Sequence, residues 1–242
     1  MPRAPLPSSS PGRVPDTDTL ELPRSSKPHK EEQPETQEVD VGSVPYDVAA
    51  DMRQDPSVRP LFVLAQTLEE RYTDLALHGR SVAGYCALVA RELGMPPDSV
   101  ERVALAGELH DVGKVGISEA VLRKPGALDD SEWEQVKRHP EIGADLLVSS
   151  NLDDIARWVL AHHERPDGSG YPYGIPGSDI PVEAKILAVG DAYDAMRNDR
   201  VYQAGLTHGK AAGELDRCSG RQFDGEVVGA FLGALDRLGF SA

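Results

Sequence analysis

The 242-residue chain lacks the features that mark secreted and membrane-spanning proteins. It has only two cysteines, Cys86 and Cys218, outside any CxxC pattern, so we expect a reducing, cytoplasmic location rather than a disulfide scaffold. No stretch approaches the roughly 18 uncharged apolar residues of a membrane span. The N-terminus has no apolar run behind its charged residues, so no secretory signal is predicted either.

Basic residues are also scarce, with 25 Lys and Arg against 40 Asp and Glu and a formal net charge of -15. Proteins that hold nucleic acid or anionic lipid by charge need clustered Lys and Arg. We therefore expect no polymeric nucleic acid and no membrane among the partners of this chain. The acidic excess indicates either a solvated surface or carboxylates that are gathered to bind a cation.

Residues 1–45 differ in composition from the rest, with nine of the 19 prolines and no aromatic residue. Such a segment buries too little apolar surface to offset its conformational entropy, and it is predicted to be a disordered tail. A docking peptide for a partner is the alternative. Residues 57–242 are predicted to form one domain.

Apolar residues from about residue 57 onward recur at helical spacing, as in Leu61, Leu64 and Leu68. Capping boxes or caps are predicted at Asp98 with Glu101 and at Asn151. Alternating strand-like runs are absent, so the fold class is predicted to be all-α. Helices are expected over 74–93, from about 97 to 110, from 151 to 162, and over 182–196, 208–217 and 225–238, with a glycine- and proline-rich loop over 165–181.

Five of the seven histidines have acidic or glycine-rich neighbours: His78, His110, His139, His162 and His163. One such residue is usually structural, but five on helices in a cysteine-poor chain favour metal binding. Neutral imidazole together with carboxylate oxygen suits a divalent ion such as Fe, Mn, Zn or Co.

The spacing of these residues indicates more than one ion. Asp74 and His78 are four residues apart and share a helix face. His110 and Asp111 are adjacent at a predicted helix end, where Asp111 can bridge two ions, and the pair His162-His163 has the same geometry. Two metals roughly 3.5–4 Å apart form the usual clamp for hydrolysis of a phosphoester.

Two motifs closely resemble those of the HD-GYP family of bacterial phosphohydrolases, which cleave cyclic dinucleotides and chiefly cyclic di-GMP. They are His110-Asp111-Val-Gly-Lys114 and the run from His162-His163-Glu164 to Gly170-Tyr171-Pro172. The resemblance implies an HD-domain-type helical bundle with a glycine-rich GYP loop. It also implies two or three divalent ions, most commonly Fe or Mn, and cleavage to linear pGpG and then GMP.

Carried over residue by residue, the resemblance implies the metal ligands His78, His110, Asp111, His139, His162, His163 and Asp191. Three-metal members of the family have Glu four residues before the first His, where this chain has the shorter Asp74. Asp74 is therefore either a ligand or a charge that complements the helix end. For Asp191 the alternative is a surface acid, but the apolar helix around it favours a ligand.

The resemblance further implies that Asp111 and Lys114 are catalytic and that Lys114, Arg200, Tyr171 and Pro172 contact the substrate. A guanidinium such as that of Arg200 suits a phosphate. The chain departs from the family at Gln203, where a basic residue is usual, which leaves substrate preference open.

Three alternatives for function and assembly remain open from the sequence. The same chemistry fits another cyclic dinucleotide or a nucleotide phosphoester, since fold alone does not define the substrate. A receptor or interaction module that binds cyclic di-GMP without hydrolysis is the second alternative, and the GYP loop is the implied contact for a diguanylate cyclase. The third alternative concerns assembly, because the chain can act either as a monomer or as a homodimer.

Overall fold

The computed structural model describes residues 50–72, 78–198 and 205–240. Across these ranges the chain forms helices and no β-strand, so the all-α prediction is confirmed. The predicted tail, together with Asp74, Arg200 and Gln203, lies outside them. The helices are α1 (Ala50–Gln54), α2 (Arg59–Tyr72), α3 (His78–Glu92), α4 (Pro97–Leu109), α5 (Glu119–Leu122), α6 (Asp130–Val136), α7 (His139–Val148), α8 (Asp153–Ala161), α9 (Val182–Arg197), α10 (His208–Arg217) and α11 (Gly225–Arg237), with a 3₁₀ turn at Val112–Gly116.

The helix pair α3 and α4 forms the centre of the bundle, and α9 and α11 also pack against α3. Aromatic rings join these helices, because Phe231 packs edge-on against Tyr193 and Tyr85 with ring centroids 4.9 and 5.7 Å away. α7 and α8 form a second helix pair, in which α7 contacts the 3₁₀ turn and α8 contacts α4. No helix in the described ranges combines the length and apolar character needed to cross a bilayer.

The 3₁₀ turn lies so close to α7 that only glycine fits at the contact. A Cβ on Gly113 would lie 2.0 Å from the carbonyl oxygen of His139, well inside van der Waals contact. The glycine of the first motif therefore places the turn that follows His110 and Asp111 directly against the start of α7.

The capping box predicted at Asp98 and Glu101 is wrong. α4 begins with Pro97, the favoured first residue of a helix because it has no N–H to satisfy, and no side chain caps this end. A capping box does occur at α6, where Asp129 accepts from the backbone of Glu132 and the Glu132 side chain accepts from the backbone of Asp129.

The cap predicted at Asn151 is also wrong. Asn151 has a left-handed backbone with φ of 61°, a conformation that asparagine tolerates better than most residues. It closes the turn after α7, and Leu152 occupies the position before α8. The polar residue therefore ends one helix rather than starting the next.

Asp224 fixes the start of α11, and its replacement gives the first testable prediction. Its carboxylate accepts from the backbone N–H groups of Glu226 and Val227 at 3.0 and 3.3 Å and pairs with Lys185 on α9 at 3.0 Å. We expect Asp224→Ala to lower the free energy of unfolding by about 1–2 kcal/mol, the scale of a lost N-cap, in urea denaturation. The exposed Asp216→Ala on α10 is the control, and equal stability of the two variants would contradict the assignment.

Candidate metal centre

The five histidines selected from the sequence converge on one buried point, although they come from four helices and span 86 positions of the chain. Their exposed fractions range from 0% for His139 to 9% for His78. The rings of His139 and His162 lie 5.4 Å apart, and those of His78 and His110 lie 5.2 Å apart. Such a concentration of buried imidazole has few structural uses and is typical of a metal site.

The ends of the helices fix the orientation of three of these rings. In each, Nδ1 donates to the carbonyl oxygen three residues earlier, in a final helical turn where carbonyls have no helical partner. Because Nδ1 carries the proton in this bond, the lone pair of the ring is on Nε2, which faces inward. The pairs are His110 with Gly107 at 2.8 Å, His139 with Val136 at 2.8 Å and His162 with Val159 at 2.5 Å.

Asp111 lies between two groups of histidines, with one carboxylate oxygen toward each. Oδ2 is 3.5 Å from Nε2 of His110, and Oδ1 is 3.6 Å from Nε2 of His139. Lys114 donates from Nζ to Oδ2 at 2.7 Å. A carboxylate in this position can bind two neighbouring ions, one through each oxygen, as the sequence predicts for Asp111.

The possible ligand atoms fall into two sets, each within 4.8 Å of one another: His139, His162 and His163 in one, and His78, His110 and Asp111 in the other. We call them the imidazole subsite and the carboxylate subsite. Asp191 belongs to the second, because its Oδ1 is 3.3 Å from Nε2 of His78 and 3.7 Å from Nε2 of His110. All seven predicted ligands in the described ranges therefore lie at the centre.

Two observations indicate that these residues fit divalent ions. Nε2 of His110 is buried and has no hydrogen-bond partner among the described residues, an arrangement that costs about 1–3 kcal/mol unless a ligand binds there. A cavity of about 30 Å³ adjoins it, lined by residues that include His78, Asp111 and Lys114. This volume exceeds the roughly 10–15 Å³ that a single water or small ion requires.

The pKa values of the histidines shift in different directions in the two subsites. Burial lowers the pKa of His162 to about 3, helped by His139 and His110, and burial beside His162 also lowers the pKa of His163 well below its usual value. His162 and His163 are therefore neutral and ready to bind a cation at physiological pH. Proton competition there is weak, since metal ligands must be deprotonated.

In the carboxylate subsite the pKa of the histidine His78 is raised instead of lowered. Burial by itself lowers the pKa of His78, but hydrogen bonds to Asp191 and Asp194 outweigh it and raise the pKa to about 10. Burial tends to raise the pKa of Asp111, yet the charge of Lys114 holds it well below its usual range. To bind an ion, His78 would have to release a proton, and the ion would then supply the positive charge beside Asp191 and Asp194.

Asp194 also belongs to this region, although the sequence patterns did not single it out. It is 1% exposed, and its Oδ2 lies 2.6 Å from Nδ1 of His78. A signal for it is present in the sequence, because Asp194 follows Asp191 by three residues on α9 and so lies on the same helix face. The sequence could not indicate that α9 would pack its acidic face against α3.

The GYP loop is held by a buried carboxylate. Glu164, 4% exposed, accepts from three successive backbone N–H groups, those of Tyr173 at 2.7 Å, Gly174 at 3.1 Å and Ile175 at 3.1 Å. The chain also passes so close to itself that a Cβ on Gly170 would lie 2.5 Å from the backbone of Glu164. The structure of the loop therefore explains why the second motif has Glu at position 164 and Gly at position 170.

Tyr171 of the loop lies inside the centre and is only 6% exposed. Its ring stacks on His163, with centroids 4.7 Å apart and planes inclined by 25°, and Pro172 follows through a cis peptide bond. Tyr171 therefore packs against the candidate ligand His163. Its contact with substrate remains a prediction. The neighbouring Tyr173 is 61% exposed.

Comparison with known proteins identifies relatives in several bacteria. A family model described as HD domain matches residues 62–227. A cyclic di-GMP phosphodiesterase response regulator of Xanthomonas campestris is 41% identical over 172 residues, which cover 70% of this chain and 46% of the relative. A cyclic di-GMP phosphodiesterase of Thermotoga maritima is 38% identical (71% and 48%), and a 3'3'-cGAMP-specific phosphodiesterase of Vibrio cholerae is 36% identical (74% and 35%). This chain spans less than half the length of each of these three.

Two solved structures share the fold at low sequence identity. The HDG"Y"P protein Bd1817 of Bdellovibrio bacteriovorus has a TM-score of 0.54 and 20% identity, over 66% of this chain and 51% of that one. The HD domain of the phosphodiesterase PgpH of L. monocytogenes has a TM-score of 0.50 and 14% identity, over 72% and 98%. At these identities the likeness establishes the arrangement of the helices.

Proposed function

The chain belongs to the HD domain family, and we propose that it is a metal-dependent phosphodiesterase that hydrolyses cyclic di-GMP to linear pGpG. Its resemblance to HD-GYP proteins is confirmed by the relatives of that type. The observation that carries the proposal is Asp111, whose two oxygens face two separate sets of buried ligand atoms. This is the arrangement expected of a paired-ion phosphohydrolase.

Different residues of the chain have different roles in the proposed reaction. The imidazole subsite would hold one ion and the carboxylate subsite another, with Asp111 shared between them. When bound, such a pair supplies Lewis-acid polarisation of the phosphate and activation of water. Nζ of Lys114, 2.7 Å from Asp111, is placed to donate to a non-bridging phosphate oxygen and to stabilise the charge that grows there during attack.

The identity and number of the ions are part of the proposal. Mixed imidazole and carboxylate ligands suit Fe or Mn, and two sets of ligands suit two ions. A third ion would depend on Asp74, outside the described residues. Elemental analysis of protein purified without added metal measures both identity and number.

A substrate panel tests the proposed activity. The full chain, loaded with Mn²⁺ or anaerobically with Fe²⁺, is incubated with cyclic di-GMP, 3'3'-cGAMP, cyclic di-AMP and pGpG, and the products are identified by chromatography and mass spectrometry. We expect cyclic di-GMP to be consumed fastest, with pGpG as first product and GMP formed more slowly. Tight binding of cyclic di-GMP with no turnover under either metal would instead identify a receptor.

3'3'-cGAMP is the second candidate substrate, because a 36% identical relative is specific for it. Both substrates present the same phosphoester to the ions and differ in one base, so the metal centre does not separate them. Preferential hydrolysis of 3'3'-cGAMP in the panel would replace cyclic di-GMP in the proposal and leave the mechanism unchanged.

The proposal also covers the location of the protein and its partners. The two cysteines are buried and unpaired, which agrees with the proposed cytoplasmic location. Contact between the GYP loop and a diguanylate cyclase, and assembly as a homodimer, remain predictions from the family resemblance. Analytical ultracentrifugation of the chain alone and with a cyclase would measure both.

A further inference from the structure

We propose that Asp194 is a positioning residue that controls occupancy of the carboxylate subsite and leaves the imidazole subsite unaffected. The inference rests on the proposed metal centre and adds a residue to it. The two subsites depend on Asp194 unequally. In the imidazole subsite, backbone carbonyls orient His139 and His162. In the carboxylate subsite, a side chain on a distant helix orients His78.

The contact itself is short and fully buried. Oδ2 of Asp194 lies 2.6 Å from Nδ1 of His78, and the two residues are 1% and 9% exposed. A carboxylate can only accept here, so Nδ1 of His78 carries the proton. The opposite ring nitrogen, Nε2, then points toward Asp191 at 3.3 Å and toward the rest of the subsite.

The other orienting bonds are of a different kind. His110, His139 and His162 donate from Nδ1 to a carbonyl three residues earlier in the chain, so their orientation is set within one helix end. The bond of His78 crosses from α3 to α9, over 116 residues of sequence. A substitution at Asp194 can therefore disturb His78 without touching the backbone bonds that orient the imidazole subsite.

The charge of Asp194 adds to its geometric effect. A carboxylate on the far nitrogen of a ligating imidazole increases the basicity of the nitrogen that binds the ion, and loss of such a partner typically weakens metal affinity by about 10–100-fold. Asparagine has nearly the same shape and can still accept from Nδ1, but it lacks the charge. Alanine removes both contributions, so the two substitutions separate charge from orientation.

The test is a metal titration of the full chain. Metal-depleted wild type, Asp194→Asn and Asp194→Ala are titrated with Mn²⁺ while free Mn²⁺ is followed by electron paramagnetic resonance. We expect the wild type to bind two ions per chain. In Asp194→Asn one class of site should weaken by about 10-fold and in Asp194→Ala by about 100-fold, with the second class unchanged. Asp216→Asn, the same change on the exposed face of α10, is the control.

A second measurement reports on His78 without any metal. Nitrogen-15 NMR of the histidine rings in the metal-free protein identifies the nitrogen that carries the proton. We expect the Nδ1 proton of His78 to exchange faster with solvent in Asp194→Ala, and the signals of His139 and His162 to keep their wild-type positions. Circular dichroism verifies that each variant is folded, and Asp194→Asn is the conservative variant should Asp194→Ala unfold.

The results that would overturn the role of Asp194 are not the same as those that would overturn the proposed function. Equal weakening of both classes of site, or unchanged Mn²⁺ binding with a lower melting temperature, would make Asp194 a structural residue only. A wild type that binds two ions but hydrolyses no cyclic dinucleotide would overturn the proposed function and leave the role of Asp194 intact. A wild type that binds no ion would overturn both.

Discussion

Hydrolysis of cyclic di-GMP by Asp111→Asn is expected to fall by at least about 1,000-fold, the scale of losing a major electrostatic contact in the transition state. The amide keeps the size of the side chain but offers one neutral oxygen in place of two charged ones. The two oxygens of Asp111 face different subsites, since one lies 3.5 Å from Nε2 of His110 and the other 3.6 Å from Nε2 of His139. The single oxygen of asparagine therefore cannot provide a ligand to both subsites. Lys114 also loses its charged partner. Initial rates of pGpG formation measure the effect.

The matched control is Asp145→Asn on α7, an exposed aspartate on the same helix as His139, which should retain wild-type rates. Metal content is measured alongside activity, because loss of the shared ligand should also reduce the ions retained after dialysis. A dialysed Asp111→Asn protein with both ions and full activity would overturn the bridging role of Asp111 and the mechanism built on it.

Glu164→Ala is expected to lower the free energy of unfolding by about 3 kcal/mol, since it leaves three successive backbone N–H groups without their acceptor. Hydrogen bonds to a buried charged group are among the stronger ones in proteins, and each amide that stays dry adds a desolvation cost. The loop next to His163 would lose its anchor, so metal retention should fall as well. Urea denaturation of the metal-free protein measures the loss of stability by itself.

Glu141→Gln provides the comparison for Glu164. Glu141 contacts the same loop, but through an exposed hydrogen bond from the hydroxyl of Tyr173 at 3.0 Å. Exposed surface substitutions usually change stability by no more than about 0.5 kcal/mol. If the two variants unfold at the same urea concentration, the loop does not depend on the buried carboxylate.

Much of this architecture can be predicted from local patterns. The helical repeat of apolar residues locates the longer helices to within a few positions, and α10 begins at His208 and ends at Arg217 as predicted. The adjacent pair His110-Asp111 does not chelate an ion well by its spacing alone, but its position at a helix end allows Asp111 to be predicted as a shared carboxylate. These features succeed because helix periodicity and helix ends are properties of a few neighbouring residues.

Other features depend on contacts between distant segments. His139 was selected with the other histidines by its neighbours, but no second ligand lies near it in the sequence, and the family resemblance placed it in the ligand set. Asp194 acquires its role only when α9 packs against α3. Glu164 stands beside two histidines in sequence, yet the loop folds back over it and uses both its oxygens.

The caps show a similar limit. Asp98 and Glu101 have the spacing of a capping box, but Pro97 at the first helical position starts α4 and makes the box unnecessary. The pair Asp129 and Glu132 has the same spacing and does form the box. The spacing of the two residues therefore shows only where a capping box can form. Whether it forms depends on the residue at which the helix begins.

The position of the ligands at helix boundaries has a consequence for how this domain can vary. His110 and His162 directly follow the last residues of α4 and α8, and His139 is the first residue of α7. The opposite ends of these helices, at Pro97, Val148 and Asp153, carry none of the ligands. Insertions and lengthened helices at those ends should be tolerated without moving a ligand. Domain fusions are therefore best engineered there, and random insertion libraries scored for retained metal should be enriched at those boundaries.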